Sequence, residues 1–232
     1  MMSFAKSFMV LLKKDLLREL KTKEILTSML VYAVLVLAIY GAALSQADTS
    51  FDIISVASGL LWVLILFTSL LALHRSFGFE IETRCIDALL MSPIERPVIF
   101  LAKMSANFIY LLLIELISVP LFFFFFLSGQ ELHINLFLFI LPLIVGSLGI
   151  AGVGTFLASL TLEGKNKEIL LSLLMVPLIF PLIYSCVASN TMVLLAVEGF
   201  EAEFWRSLAM GGLYDLIMLV AAYALYEFIL SA

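Results

Sequence analysis

The chain has 232 residues, of which 63% are hydrophobic and only 13% are charged, and its formal net charge is −5. Its mean hydropathy is +1.17. Soluble domains carry about 25% charged residues, so this composition excludes a soluble globular protein and indicates a polytopic membrane protein.

The first predicted element is an amphipathic helix over residues 3–23. On a helical wheel its cations fall within an arc of about 140°; they are Lys6, Lys13, Lys14, Arg18 and Lys21. Most of the opposite side is apolar, with Phe4, Phe8, Leu11, Leu12, Leu16 and Leu20. This pattern is typical of a helix that lies along the membrane surface with its cations toward anionic headgroups. Anchoring is one interpretation; in the other, Asp15 and Glu19 on the remaining flank face a partner protein.

Six apolar segments follow, each long enough for the roughly 20 residues of a transmembrane helix. They cover residues 25–44, 53–73, 104–127, 134–160, 169–188 and 208–230. None of them alternates every second residue as a transmembrane β-strand does. We therefore predict an all-α protein with six transmembrane helices in one domain over residues 1–232. A cleaved signal peptide is not expected, because the first apolar run is as long as a full span.

Positive charges predict the orientation of the bundle. With the N-terminus in the cytoplasm, every lysine and arginine except Arg206 lies on the cytoplasmic side. The loops on the other side are acidic, with Asp48, Asp52, Glu131, Glu198, Glu201 and Glu203. Both termini are therefore expected in the cytoplasm. The net charge combines a basic inner face with an acidic outer one, a distribution that indicates no nucleic-acid partner.

The segment between the second and third spans, residues 74–97, is a polar island in an apolar chain. From Glu80 to Met91 its polar and apolar residues alternate at spacings that fit a helix of about three turns. Ser92 precedes Pro93 and ends this helix, because a residue before proline avoids the helical conformation. We predict a short helix over residues 80–91, parallel to the membrane, that docks a cytosolic motor protein. The alternative is a solvated loop with no special role.

Two carboxyl groups are predicted within the membrane. Glu115 lies near the middle of the third span, where a charge costs at least about 2.5–3.5 kcal/mol, so we expect it to be protonated, paired or facing water. Asp215 is expected about two turns into the sixth span, at a shallower depth. Each is either a structural carboxyl bonded to a neighbouring helix or a participant in substrate passage or conformational change.

The fourth span is rich in small residues that recur every four positions, namely Ser147, Ala151, Thr155 and Ser159, with glycines between them. Such a stripe lets another helix approach closely, so we predict a packing or dimer face. The stripe is not a phosphate-binding loop, because no GxxxxGK[ST] motif occurs in the chain. Any ATP that the protein uses is therefore hydrolysed by another polypeptide.

Catalysis and metal binding are not predicted. The two histidines, His74 and His133, are expected at opposite boundaries of the membrane, and no HExxH motif is present. Contact of either histidine with a haem iron is a weaker alternative to a boundary role. Bending points are predicted at Pro120, Pro177 and Pro181, where proline frees a backbone carbonyl one turn earlier.

Three segments carry a family resemblance: SGLLWVLILFTSLLALHRSF, CIDALLMSPIERPVIFLAKM and GTFLASLTLEGKNKEILLSLLMVPLIFPLI. After a basic amphipathic start, this order of elements resembles the membrane subunit of the cytochrome c maturation ABC transporter, the CcmB or haem exporter protein B family. The resemblance covers nearly the whole chain.

The resemblance implies a six-span permease of the type-2 ABC exporter kind in the bacterial inner membrane. It implies a separate ATPase, CcmA, which binds the ATP, together with CcmC and CcmD. In that family ATP hydrolysis is linked to release of the haem-loaded chaperone CcmE from CcmC, so haem is expected in the complex, along with two permease copies. The ATPase contact carries over to Glu80, Glu82, Arg84, Ile86, Asp87, Leu90 and Met91. No haem ligand and no role for Glu115 can be carried over.

We therefore predict a non-catalytic permease subunit that receives ATP-driven motion through the helix over residues 80–91 and passes it to spans two, three and five. Two alternatives stay open at this point. One is a related exporter permease that moves a lipid or a drug. The other is a static membrane scaffold that recruits maturation proteins without moving.

Overall fold

The computed structural model describes residues 4–44, 53–82, 91, 94–126, 134–161, 167–195 and 199–229. Within these ranges the chain forms seven α-helices and no strand: α1 Phe4–Thr22, α2 Glu24–Leu44, α3 Ile53–Glu82, α4 Arg96–Phe126, α5 Leu136–Leu160, α6 Lys167–Leu195 and α7 Glu201–Ile229. Helices α2 to α7 are long and apolar enough to cross a membrane. The prediction of an all-α protein with six transmembrane helices is confirmed.

Several helices extend beyond the apolar runs that predicted them. Helix α3 continues through Glu82, α6 through Leu195, and α7 begins at Glu201 rather than at Leu208. Hydropathy marks the part of a helix that suits lipid, whereas the helix itself continues through polar residues until its backbone pairing ends. Helices α4 and α6 are also continuous through Pro120, Pro177 and Pro181, and α5 contains a further proline, Pro142.

The first two helices are joined without a loop. Lys23 stands alone between α1 and α2 with a left-handed φ of 56°, and its N–H donates to the Glu19 carbonyl at 2.7 Å. This arrangement closes the C-terminus of α1. The Glu19 carboxylate accepts from the Leu26 N–H at 2.8 Å in the first turn of α2. A negative side chain there satisfies a helix N–H and complements the helix dipole, so Glu19 fixes the angle between the two helices.

Helix α5 is the centre of the bundle and packs against α3, α4, α6 and α7. Its sequence is apolar or small all the way round, which is typical of a helix with no single exposed face. Two glycines of α5 let α3 approach closely. Gly146 lies against the Trp62 ring of α3, and Gly154 lies against Leu73 of α3. These contacts hold α3 close to α5.

Helix α1 lies against α4. Its buried face consists of Ser7, Leu11, Asp15 and Glu19, and the cations Lys6, Lys13, Lys14 and Lys21 are exposed. The end of the bundle where α1 meets the first turns of α4 and the last turns of α7 is called the α1 end below.

Candidate functional site

One turn of α5, residues 146–149, meets side chains from four other helices. Gly146 faces Trp62 of α3, and an added Cβ there would lie 2.5 Å from Cζ3 of that ring. Ser147 bonds to Glu115 of α4, and Gly149 lies against Asp215 of α7 and a leucine of α6. We call these residues, Trp62, Glu115, Gly146, Ser147, Gly149 and Asp215, the central layer. A shift of any neighbouring helix relative to α5 must change contacts in this layer.

Glu115 has a partner on the neighbouring helix. Its side chain is 6% exposed, and Oε1 accepts a hydrogen bond from the Ser147 hydroxyl. Glu115 also lines a groove of about 850 Å³ between α4 and α5 that is otherwise apolar. Its other lining residues include Leu112, Leu116, Val119, Phe123 and Ile140. The bond to Ser147 offsets part of the cost of placing a carboxyl within the membrane.

Asp215 lies further from the start of its helix than the sequence predicted. Because α7 begins at Glu201, Asp215 is at the midpoint of the helix rather than two turns from its start. It is 4% exposed, and neither carboxylate oxygen has a hydrogen-bond partner among the described residues. The apolar run starts late because Glu203 and Arg206 interrupt it, although the helix does not break there. Asp215 is therefore a buried carboxyl held against the backbone of Gly149.

Hydrogen bonds between polar side chains connect the helices on either side of this layer. The Trp62 indole N–H donates to Asn190 Oδ1 at 2.9 Å, and Asn190 Nδ2 donates to the Phe139 carbonyl at 2.9 Å. Asn107 Nδ2 donates to the Thr155 hydroxyl at 3.0 Å. Trp62, Asn107 and Asn190 were not among the residues predicted from the sequence to be functional. The two asparagines could have been recognised from the sequence, because an amide side chain inside an apolar run requires a hydrogen-bond partner within the bundle.

The small-residue stripe of α5 faces the chain's own helices. Ser147, Ala151, Thr155 and Ser159 are all buried. Ser159 lies 3.0 Å from the Tyr226 hydroxyl of α7 and thereby links α5 to the α1 end. In this conformation the stripe is covered within one chain, so it offers no exposed surface to a second copy.

A buried ion pair fastens α1 to α4. Lys103 Nζ lies 3.3 Å from Asp15 Oδ2, and both side chains are almost completely buried. The Tyr110 hydroxyl donates to the Asp15 carbonyl at 3.1 Å, and the Lys103 ammonium lies 5.5 Å from the centroid of the Phe77 ring. The interpretation that Asp15 and Glu19 face a partner protein is therefore wrong: they contact α4 and α2 of the same chain. Burial of this pair requires both partners, because either charge alone is costly.

The predicted motor-docking helix falls largely outside the described residues. Arg84, Ile86, Asp87 and Leu90 lie outside those residues. Glu80 and Glu82 belong to the last residues of α3, so a separate helix does not begin at Glu80. No proline stands between Leu73 and Glu82 to stop α3. Met91 lies in a turn and is 85% exposed.

No three His, Cys, Asp or Glu side chains are placed to hold a metal ion in the part of the chain that the structure describes. Cys186 is a buried free thiol beside Gly146. The central layer can therefore position helices and hold two carboxyls, but its described residues do not form a metal centre.

Comparison with known proteins gives consistent matches. The sequence profile of the CcmB protein family matches residues 6–230. The chain is 32% identical over 129 residues to "Heme exporter protein B" of Rhodobacter capsulatus, which covers 54% of this chain and 56% of that protein. It is 30% identical over 129 residues to "Heme exporter protein B" of Paracoccus denitrificans, with the same coverage. The aligned region thus spans little more than half the length of these curated relatives.

Proposed function

The chain belongs to the CcmB family, and from this premise we propose that it is the non-catalytic permease subunit of an ABC transporter complex that handles haem in cytochrome c biogenesis. The observation that carries the proposal is the family match over residues 6–230. The names of the curated relatives, which refer to haem export, support it. The six apolar helices are those expected of such a subunit.

ATP is hydrolysed in this proposal by a partner resembling CcmA, because the chain has no P-loop motif. The partner docks on residues 80–91, at Glu80, Glu82, Arg84, Ile86, Asp87, Leu90 and Met91. This segment joins α3 to α4, and those two helices carry Trp62 and Glu115 of the central layer. A hydrogen-bonded helix is stiff along its axis, so in this proposal a displacement of the segment is passed along α3 and α4 to their contacts with α5.

The α1 end faces the cytoplasm in this proposal. The charge distribution supports this orientation, because the exposed cations of α1 lie at the α1 end, whereas Glu201 and Glu203 begin α7 at the opposite end. The complex contains two permease copies with proteins resembling CcmC and CcmD in the bacterial inner membrane. Its ATP-driven motion releases the haem-loaded chaperone, CcmE, from CcmC.

Charge reversal in the docking segment tests the proposal. The double variant R84E/D87R is expected to lose co-purification of the ATPase and to reduce cytochrome c yield, because complementary charges set the register of a docked helix. The matched control is E203K/R206E, which makes the same kinds of change at the opposite end of the bundle and is expected to behave like the wild type. If R84E/D87R assembles with the ATPase and supports cytochrome c yield as the wild type does, the ATPase does not dock on residues 80–91.

A second measurement separates a moving permease from a static scaffold. When only the partner's ATPase activity is abolished and assembly is kept, the proposal predicts loss of cytochrome c. Normal cytochrome c with the inactive ATPase would instead support the scaffold.

A further inference from the structure

The groove between α4 and α5 runs along the bundle. Its volume is about 850 Å³, and its lining residues extend from Ile109 to Phe123 on α4 and from Leu136 to Ile144 on α5. The α4 wall rises about 21 Å over this length, which is about two thirds of a hydrocarbon core about 30 Å thick. These residues belong to the second half of α4 and the first turns of α5, so the groove lies away from the α1 end.

Glu115 forms the polar floor of this groove. Its neighbour Leu116, also in the lining, is 72% exposed, whereas Glu115 is 6% exposed. Leu113 and Ile140 are further exposed apolar residues of the wall. The carboxyl is therefore reached by the tip of a side chain or by a small polar group that enters between apolar walls.

The hydrogen bonding of Glu115 is incomplete within the chain. A carboxylate has about four acceptor positions, and the Ser147 hydroxyl is the one partner of Glu115 among the described residues. Ser118, one turn further along α4, donates instead to the Ile114 carbonyl at 2.7 Å. The hydrocarbon core offers no water to replace a missing donor, so the floor favours an occupant that brings one.

The depth of Glu115 narrows the class of occupant. It lies at the middle of the apolar run over residues 104–127, so a donor must reach the centre of the membrane. Lipid headgroups lie about 15 Å from that centre, and acyl chains have no donor. A transmembrane helix can carry a polar side chain at this depth, and such helices associate by close packing and interhelical hydrogen bonds.

We propose that this groove binds a transmembrane helix of another subunit, and that a hydroxyl, amide or basic side chain of that helix donates to Glu115. The inference rests on the proposed function, which supplies a complex of several membrane proteins. The apolar residues of the bound helix cover Leu116 and Ile140, and its donor occupies a free acceptor position of the carboxyl. A second copy of this chain and a lipid are the other occupants that the experiment distinguishes.

Photo-crosslinking in membranes that contain the complete complex tests this assignment. Benzoylphenylalanine replaces Leu116 in the groove or, as the matched control, Leu216 on the exposed side of α7. At position 116 we expect a crosslink to a transmembrane helix of another subunit, with a hydrogen-bond donor within about one turn of the crosslinked residue. Position 216 should not capture that helix.

Variants of Glu115 test the hydrogen bond itself. E115L should reduce co-purification of the captured subunit about three- to twentyfold, which is the range for interhelical hydrogen bonds. E115Q keeps an acceptor oxygen and should stay within about twofold of the wild type. Replacement of the captured donor by leucine should cause the same loss as E115L, and the two changes together should cause little more, because they remove one bond.

A wall variant tests the groove independently of the carboxyl. I140W places a large side chain on an exposed wall residue and should weaken the same association, whereas L216W should not. Recovery of the ATPase with each variant shows that the chain has folded. If E115L loses the ATPase as well, it has not folded, and I140W and the crosslinks decide the matter.

Five results would overturn the assignment: a crosslink at position 116 to lipid alone, a crosslink to a second copy of this chain, equal losses in E115L and E115Q, additive losses from E115L and the donor replacement, or normal association in I140W. ATPase co-purification and cytochrome c yield of the wild type are measured in parallel. If both are normal while no partner helix is captured, the groove assignment is wrong and the proposed function stands. If the wild type binds no ATPase and supports no cytochrome c, the proposed function itself is wrong.

Discussion

Replacement of Gly149 by alanine is predicted to destabilise the bundle at its centre. A Cβ at this position would lie 2.8 Å from Cγ of Asp215 and closer still to its Oδ1, with a methyl group of Leu182 also within contact distance. Overpacking of a tightly packed interior costs about 1–3 kcal/mol. For a chain of this size each kcal/mol lowers the melting temperature by about 2–4 °C. The assay is thermal unfolding of the purified protein in detergent.

The control variant and the double variant that tests this prediction both change residues of α5 or α7. G212A changes a glycine of α7 where an added Cβ meets nothing within 4 Å, so it should be neutral or stabilising by up to about 1 kcal/mol. The double variant G149A/D215A removes the clashing carboxyl and should recover part of the loss, with a coupling of about 0.5–3 kcal/mol. If G149A melts like G212A, or if D215A does not change its effect, α7 does not approach α5 as described.

Three further outcomes follow from the buried contacts, all measured as melting temperatures. K103M should cost about 3–5 kcal/mol, because it removes the buried partner of the Asp15 carboxylate and leaves only the more exposed Lys14 near it. K14M, which removes a much more exposed cation 3.3 Å from the same carboxylate, should cost no more than about 1 kcal/mol; equal effects would contradict a specific role for the buried pair. W62F should cost about 1–3 kcal/mol by removing the indole N–H that Asn190 accepts, and an unchanged melting point would count against that bond.

The sequence predicted the spans because length and hydropathy alone decide whether a helix suits the membrane. It predicted the helix ends less well, and the distance of Asp215 from the start of its helix was therefore predicted wrongly. The helical wheel correctly separated Asp15 and Glu19 from the cations of α1. It could not show that this flank meets α4 and α2, because the contact depends on how α1 docks on the bundle.

Within the candidate site, the sequence repeat predicted which residues are buried, but it could not predict their partners on other helices. The four-residue repeat on the fourth span predicted that another helix comes close, and the structure buries these residues within the chain. Nothing local assigns Ser147 to Glu115, or Trp62 to Asn190, which is 128 residues away. Such pairs follow from topology, because the order of helices around α5 decides which polar side chains meet.

The central claim is that a partner ATPase moves these spans through the segment over residues 80–91. Its most direct test is structure determination of the co-purified complex in nucleotide-free and ATP-bound states. We predict that the segment moves with the ATPase and that Trp62 or Glu115 shifts relative to residues 146–149 of α5. If the segment and the bundle have the same structure in the two states, with the ATPase bound in both, the account is wrong.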